Sequence, residues 1–183
     1  MARVKYLDQS DLAPEDQELL ARPANLFRAF VHSPEAYRRF GQLGGWIRNG
    51  TKLDPRLREM AILQVGYLTR CEYEYSHHIK IGRDFGVSDD DLRAIAADTA
   101  GEATSLSELD CAVLQLTREM TTDIQGSQEA FDIVSAELGE EHTVDLLLVI
   151  SFYNAVVRML YTLEIDVEDE YLPLLDEFPL PQA

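Results

Sequence analysis

Residues 58–86 read REMAILQVGYLTRCEYEYSHHIKIGRDFG, and this stretch decides both the fold class and the candidate chemistry. Its first half continues an apolar stripe that starts at Asp54-Pro55 and runs through Leu57, Met60, Ala61, Ile62, Val65 and Leu68 at helical spacing. Its second half places Cys71, Glu74 and His78 at i, i+3 and i+7. On one α-helix that spacing stacks a thiol, a carboxylate and an imidazole along a single face, while His77 points about 100° away. A helix, or a closely joined helix pair, is expected to carry the candidate site.

Outward from this stretch the signals stay helical. Pro23 precedes ANLFRAFV, and Ser33 with Pro34 opens EAYRRFGQLGGWIR, which stops at Asn49-Gly50. On the other side, Gly86 ends the central run. Ser88-Asp89-Asp90-Asp91 and Ser107-Glu108-Leu109-Asp110 both have capping-box spacing, with Asp in place of the usual Glu or Gln. Ser127 opens a further helix that Gly139 closes, and residues 143–165 are apolar on nearly every side, as expected of a buried helix. That last segment is long enough to span a membrane, but Asp145, Asn154 and Arg158 would be costly in hydrocarbon. No convincing alternating strand pattern and no internal repeat is visible. The expectation is an all-α chain of about seven helices in one domain, residues 24–165, with an N-terminal arm over 1–23 and an extended C-terminal tail over 166–183.

Composition narrows the function. Lys and Arg number 16 against 33 Asp and Glu, a formal net charge of −17, with no basic stripe on any expected helix. Nucleic acid and anionic membrane are therefore poor partners. Two cysteines are too few for a disulfide framework, and the first residues match no targeting pattern, so a reducing cytoplasm is expected.

The residues themselves leave several chemistries open. Cys71 is a nucleophile, a redox centre or a small buried side chain; Glu72 and Glu74 beside it push its pKa upward unless a protonated His78 offsets them. Glu74 and His78 form an i, i+4 pair, either an oriented acid/base group titrating near neutrality or an ordinary surface ion pair. Glu59, on the apolar stripe, is either solvated or buried with a raised pKa, which suits a proton donor; Arg158 on the last helix is either its partner or, the favoured reading, part of a purely structural bridge or a subunit contact. Cys71, Glu74, His77 and His78 are all metal-ligand types, but adjacent histidines diverge on a helix; neither a metal nor another cofactor is expected.

Glu59, eleven intervening residues, Cys71-Glu72-Tyr73-Glu74, His78 and the following IKIGRDFGVSDDDL resemble the carboxymuconolactone decarboxylase and alkylhydroperoxidase D-like family over roughly residues 24–165, with Phe152-Tyr153-Asn154 to Arg158 similar to the family's last core helix. The resemblance implies an all-helical fold assembled as trimers or hexamers, with active sites near subunit contacts. It also implies two branches. In the hydroperoxidase branch a C-x-x-C pair does disulfide chemistry, aided by a glutamate and a histidine; Cys71, Glu59 and His78 match, but Glu74 stands where the second cysteine would be. A resolving thiol would then have to come from Cys111 or from outside. In the decarboxylase branch the Glu74-x-x-x-His78 pair does acid/base work. The first expectation is proton chemistry on a small organic acid or lactone, with His78 as acid or base, Glu74 orienting it and Glu59 relaying protons. Thiol-dependent peroxide reduction (peroxiredoxin-type, antioxidant) by Cys71 is the alternative, and a non-catalytic oligomeric binding protein the third reading.

Overall fold

Eleven consecutive buried residues, Leu57 to Tyr67, make one helix the hub of the molecule, because a helix apolar all round must be packed all round. The computed structural model describes residues 2–182. The hub, α3 (Pro55–Leu68), lies after α1 (Asn25–Phe30) and α2 (Pro34–Asn49), and is followed by α4 (Glu72–Asp84), α5 (Asp89–Thr99), α6 (Glu108–Thr122), α7 (Gln128–Leu163) and α8 (Leu172–Glu177). It packs against α4, α5, α6 and α7. Two short 3₁₀ segments, Gln9–Asp11 and Pro14–Leu20, precede α1. Among the described residues there is no strand, as expected of an all-α chain.

Local chemistry explains the boundaries. Asp54 caps α3 by accepting from the Leu57 N–H at 3.0 Å, and capping boxes form at Ser88/Asp91 and at Ser107/Asp110. Ser127 caps α7 through the Ala130 N–H. Gly139 adopts φ +74° and kinks α7, dividing it where the sequence predicts one helix to close and another to begin. Beyond the kink, α7 buries Leu146, Val149, Ile150, Tyr153, Val157 and Leu160 against α3 and α6, but exposes Val144, Leu148 and Met159. It is long and apolar enough to cross a membrane by length and composition, yet it serves here as a core helix with one open face.

One expectation is narrowed and one corrected. The central run is the closely joined helix pair and not a single helix, because Arg70 takes the left-handed conformation (φ 55°). Its N–H reaches the Tyr67 carbonyl and the Cys71 N–H reaches the Gly66 carbonyl at 2.9 Å, a Schellman closure of α3 with arginine at the position glycine usually holds. The C-terminal segment is also not simply extended. Pro173 falls in the first turn of α8, where a missing N–H is no loss, so it starts a helix instead of preventing one. That segment docks on α4, and Phe178, 4% exposed, lies beneath the guanidinium groups of Arg83 and Arg93.

The N-terminal arm is tied down by polar contacts: Arg3 bridges Glu164 at 2.7 Å, the Tyr6 hydroxyl donates to Asp166 at 2.9 Å and Arg38 pairs with Asp16. Phe178→Ala is expected to lower stability by about 3 kcal/mol, the low end for a buried Phe, because a buried ring and two cation–π contacts are lost together. Urea denaturation of the full chain checks it.

Candidate active site

The Schellman turn makes Cys71 both the end of one helix motif and the N-cap of the next, with extended backbone (φ −80°, ψ 94°). Cys71 therefore leaves the helical register in which the sequence places it with Glu74 and His78. Its thiol is 3% exposed. Burial pushes it up to about 12, with the Glu74 and Glu72 charges acting in the same direction and the backbone amides of Glu74 and Tyr73 only partly opposing. At neutral pH it is a protonated thiol.

Glu74 and His78, both inside α4, do share a face, and α3 presents Glu59 to them. The His78 Nδ1 lies 2.7 Å from Glu59 Oε2 and its Nε2 lies 3.0 Å from Glu74 Oε1. Glu59 is held in turn by its neighbour, since Arg58 Nε and Nη2 donate to Glu59 Oε1 at 3.0 and 2.9 Å. The Arg58 guanidinium also donates to the Arg48 carbonyl at 3.0 Å and stacks over Phe85 at 4.5 Å. The four side chains are 1–4% exposed, so each charge needs a partner. Two positive and two negative groups cancel.

Carboxylates only accept, so a ring flanked by two of them donates from both nitrogens and is an imidazolium. Burial opposes that charge more than any other single effect, but the Glu59 and Glu74 carboxylates together outweigh it and raise His78 to about 9. For Glu59, burial is again the largest effect and is upward, but the His78 and Arg58 charges and hydrogen bonds hold it below the usual carboxylate range. This corrects two expectations: Glu59 is a fixed anion and no proton donor near neutrality, and His78 titrates well above neutrality. Of the two readings of Arg158, the pairing with Glu59 does not form. Arg158 lies on the exposed side of α7 and bonds Asn154 at 3.0 Å, while Arg58, which the sequence reading passed over, serves Glu59. A charged residue adjacent to Glu59 inside an apolar run was the signal available.

Glu74 and His78 line a cavity of about 630 Å³, walled by aromatic side chains that include Phe27, Tyr37, Phe40, Phe152 and Tyr153. Tyr153 meets His78 edge-on with centroids 5.0 Å apart. Neither Cys71 nor Glu59 is part of the cavity wall. His77 points away from His78, as its register requires. It is stacked between Tyr73 and Tyr171, at 4.0 and 3.7 Å, and its Nε2 lies 3.1 Å from Glu168. Tyr171 joins the wall from the C-terminal segment, and Leu19, Ala21 and Arg22 join it from the N-terminal arm. Cys111 is half-buried on α6, near Asp98 and Thr104, and both cysteines are free.

Residues 34–112 match the model of the carboxymuconolactone decarboxylase family. The resemblance carried by Glu59, Cys71, Glu74 and His78 is borne out. Among solved structures, the alkylhydroperoxidase AhpD core of an uncharacterized peroxidase-related protein from Ralstonia eutropha JMP134 is 17% identical and superposes with a TM-score of 0.77 over 93% of this chain and 94% of that one. A peroxidase-related protein from Silicibacter sp. TM1040 is 19% identical with a TM-score of 0.72, over 93% and 97%. A cysteine-to-alanine variant of the debrominase Bmp8, in complex with 2,3,4-tribromopyrrole, is 19% identical with a TM-score of 0.80, over 97% and 100%. At these identities the shared property is the fold. No protein of curated function matches the chain.

Two measurements check the electrostatics. Because the folded-state pKa of His78 lies above its ordinary 6.5, the stability it contributes is complete below pH 6.5 and is lost as pH rises through about 9. An NMR titration should find an imidazole with a midpoint near 9, and the urea midpoint should fall across the same window. Cys71 should alkylate slowly at pH 7 in the folded chain, with roughly a thousandfold less thiolate than an ordinary cysteine, and rapidly once unfolded.

Proposed function

We propose that this chain is an enzyme that transfers protons to or from carbon on a small organic acid or lactone, with decarboxylation as the reaction class. The observation that carries the reading is the His78 imidazolium clamped between two buried carboxylates, of which one, Glu74, faces a cavity of substrate size. The roles differ from those expected from spacing. Glu59, anchored by Arg58 and behind His78 as seen from the cavity, orients and charges His78. Glu74 and His78 form the proton-carrying pair.

When a carboxylate leaves as carbon dioxide, its bonding electrons remain on carbon as a carbanion or enolate. The His78 Nε2 proton crosses to the Glu74 carboxylate, and the carboxyl so formed delivers that same proton to the carbon, which leaves neutral imidazole and a carboxylate. One proton from solvent resets the pair. A charged imidazole at neutral pH supplies the acid. The debrominase of the same fold, which holds a small heteroaromatic ring, supports the cavity as a place for a small organic molecule.

The second reading is thiol-dependent hydroperoxide reduction, favoured by the position of Cys71 at the amino end of α4. There the thiolate sulfur would attack the peroxide oxygen, releasing an alcohol and leaving a sulfenic acid that an external thiol reduces. Its burial, high pKa and absence from the cavity wall weigh against it. We place the protein in a reducing cytoplasm, which two free cysteines suit, and assign it a homo-oligomeric state, trimer or hexamer, with the exposed Val144, Leu148 and Met159 of α7 as apolar contact surface.

The test is carbon dioxide release from a panel of carboxylated lactones and 3-oxo acids. His78→Ala and Glu74→Gln should each lower turnover by about 10²-fold or more, while Cys71→Ser keeps most of it. A Cys71→Ser variant that is dead beside an active His78→Ala would overturn the proton-transfer reading in favour of the thiol one.

A further inference from the structure

The cavity inverts the charge of the molecule that contains it. The chain has a net charge of −17, yet Glu74 is the sole acidic side chain among the described residues of the cavity wall, and it is engaged by His78. Arg22 and Arg48 line the same wall, and neither forms an ion pair with a described carboxylate. Arg48 stands beside the Tyr153 hydroxyl, and Tyr153 in turn packs on His78. A cation partnered only by a phenol, about one side chain away from the proton-carrying pair, is placed to hold the negative charge of a ligand.

The shape of the cavity points the same way. One face of α2 contributes Tyr37, Gly41, Gly44, Gly45 and Arg48 to the wall, at i, i+4, i+7, i+8 and i+11. A Cβ added at Gly41 or Gly45 would meet nothing within 4 Å, and one at Gly44 would meet only the Phe152 ring, at 3.6 Å. None of the three has positive φ. Neither backbone geometry nor internal packing therefore calls for glycine there, although glycine is the poorest helix former after proline. What these positions do provide is bare backbone along one side of the cavity, open at Gly41 and Gly45 and next to Phe152 at Gly44, in a wall whose Phe40 and Phe152 rings lie 4.8 Å apart.

We infer that the cavity binds a planar, conjugated carboxylate. Its flat body lies along Gly41 and Gly45 against the aromatic wall, and its anionic group meets Arg48. This deepens the proton-transfer reading and rests on it for the direction in which the ligand's reactive carbon faces, toward Glu74 and His78. Planarity is selected by the bare backbone and the aromatic rings that share the wall, and charge by the arginine.

Calorimetric titration of the full chain with three probes tests the inference apart from turnover: benzoate, which is planar and anionic; cyclohexanecarboxylate, anionic but not planar; and benzamide, planar but neutral. Benzoate should bind at least tenfold more tightly than either. The Gly41→Ala/Gly45→Ala variant should melt at a higher temperature and bind benzoate about tenfold more weakly, a pairing that a merely structural role for the glycines would not produce. Arg48→Met should erase the preference of benzoate over benzamide, and Arg48→Lys should restore part of it. Equal binding of the three probes, no benzoate binding, or unchanged affinity in the double variant would overturn the inference. Selective benzoate binding with no proton transfer to any panel acid would instead retire the proton-transfer reading and leave the ligand class standing.

Discussion

Four charged side chains with almost no access to water, Arg58, Glu59, His78 and Glu74, hold one another in place, and the architecture around them follows from that requirement. A buried ion without a partner is worth several kcal/mol of instability, so the helices that carry these groups have little freedom to slide. α3 contributes Arg58 and Glu59 as neighbours, and α4 contributes Glu74 and His78 one turn apart. The Schellman turn at Arg70 sets the relation between the two helices, and the Tyr161 hydroxyl fastens that turn at the Thr69 and Arg70 carbonyls, 2.8 and 2.6 Å away. Gly66 allows α4 to come this near, since a Cβ there would lie 3.1 Å from the Tyr75 backbone nitrogen. The cluster is therefore reached by covalent chain, by backbone closure and by side-chain pairing at once.

Around this centre α6 and the second part of α7 complete the apolar packing of α3, α1 and α2 share that core and meet α7 at Phe40 and Phe152, and the C-terminal segment docks on α4. Their link runs through His77. Its ring is stacked between two tyrosines, and Glu168 gathers His77, the Tyr73 hydroxyl and the Asn25 N–H. Adjacent histidines on one helix thus take separate tasks: His78 faces the acid/base cluster, and His77 fastens the outer shell to it.

Much of this was legible in the sequence, and the parts that were not share a cause. The caps at Asp54, Ser88, Ser107 and Ser127, and the break at Gly139, are local chemistry that a few neighbouring residues determine, and they appear where read. The convergence of Glu59, Glu74 and His78 was also anticipated, from spacing and family resemblance together. The misread features depend on exceptions to local rules or on distant contacts. Arg70 occupies a conformation that favours glycine, so nothing at that position announced the helix break that moves Cys71 out of register. The tail expected to be extended over 166–183 contains a helix because Pro173 sits in its first turn. The burial of Arg58 beside Glu59 depends on the helices that close over both, and the pull of His78 and Arg58 on Glu59 reverses the pKa shift that burial alone would give.

The family model covers residues 34–112, and the buried ionic cluster of Glu59, Glu74 and His78 falls inside that span. A large part of the cavity wall does not: Leu19, Arg22, Leu26 and Phe27 precede it, and Phe152, Tyr153, Val156 and Tyr171 follow it. On the proposed function, the groups that move protons and the walls that choose the ligand are thus encoded in different stretches of the polypeptide and can diverge at different speeds. Two homologues with superimposable ionic centres could serve unrelated metabolites simply by exchanging what comes before and after the shared segment.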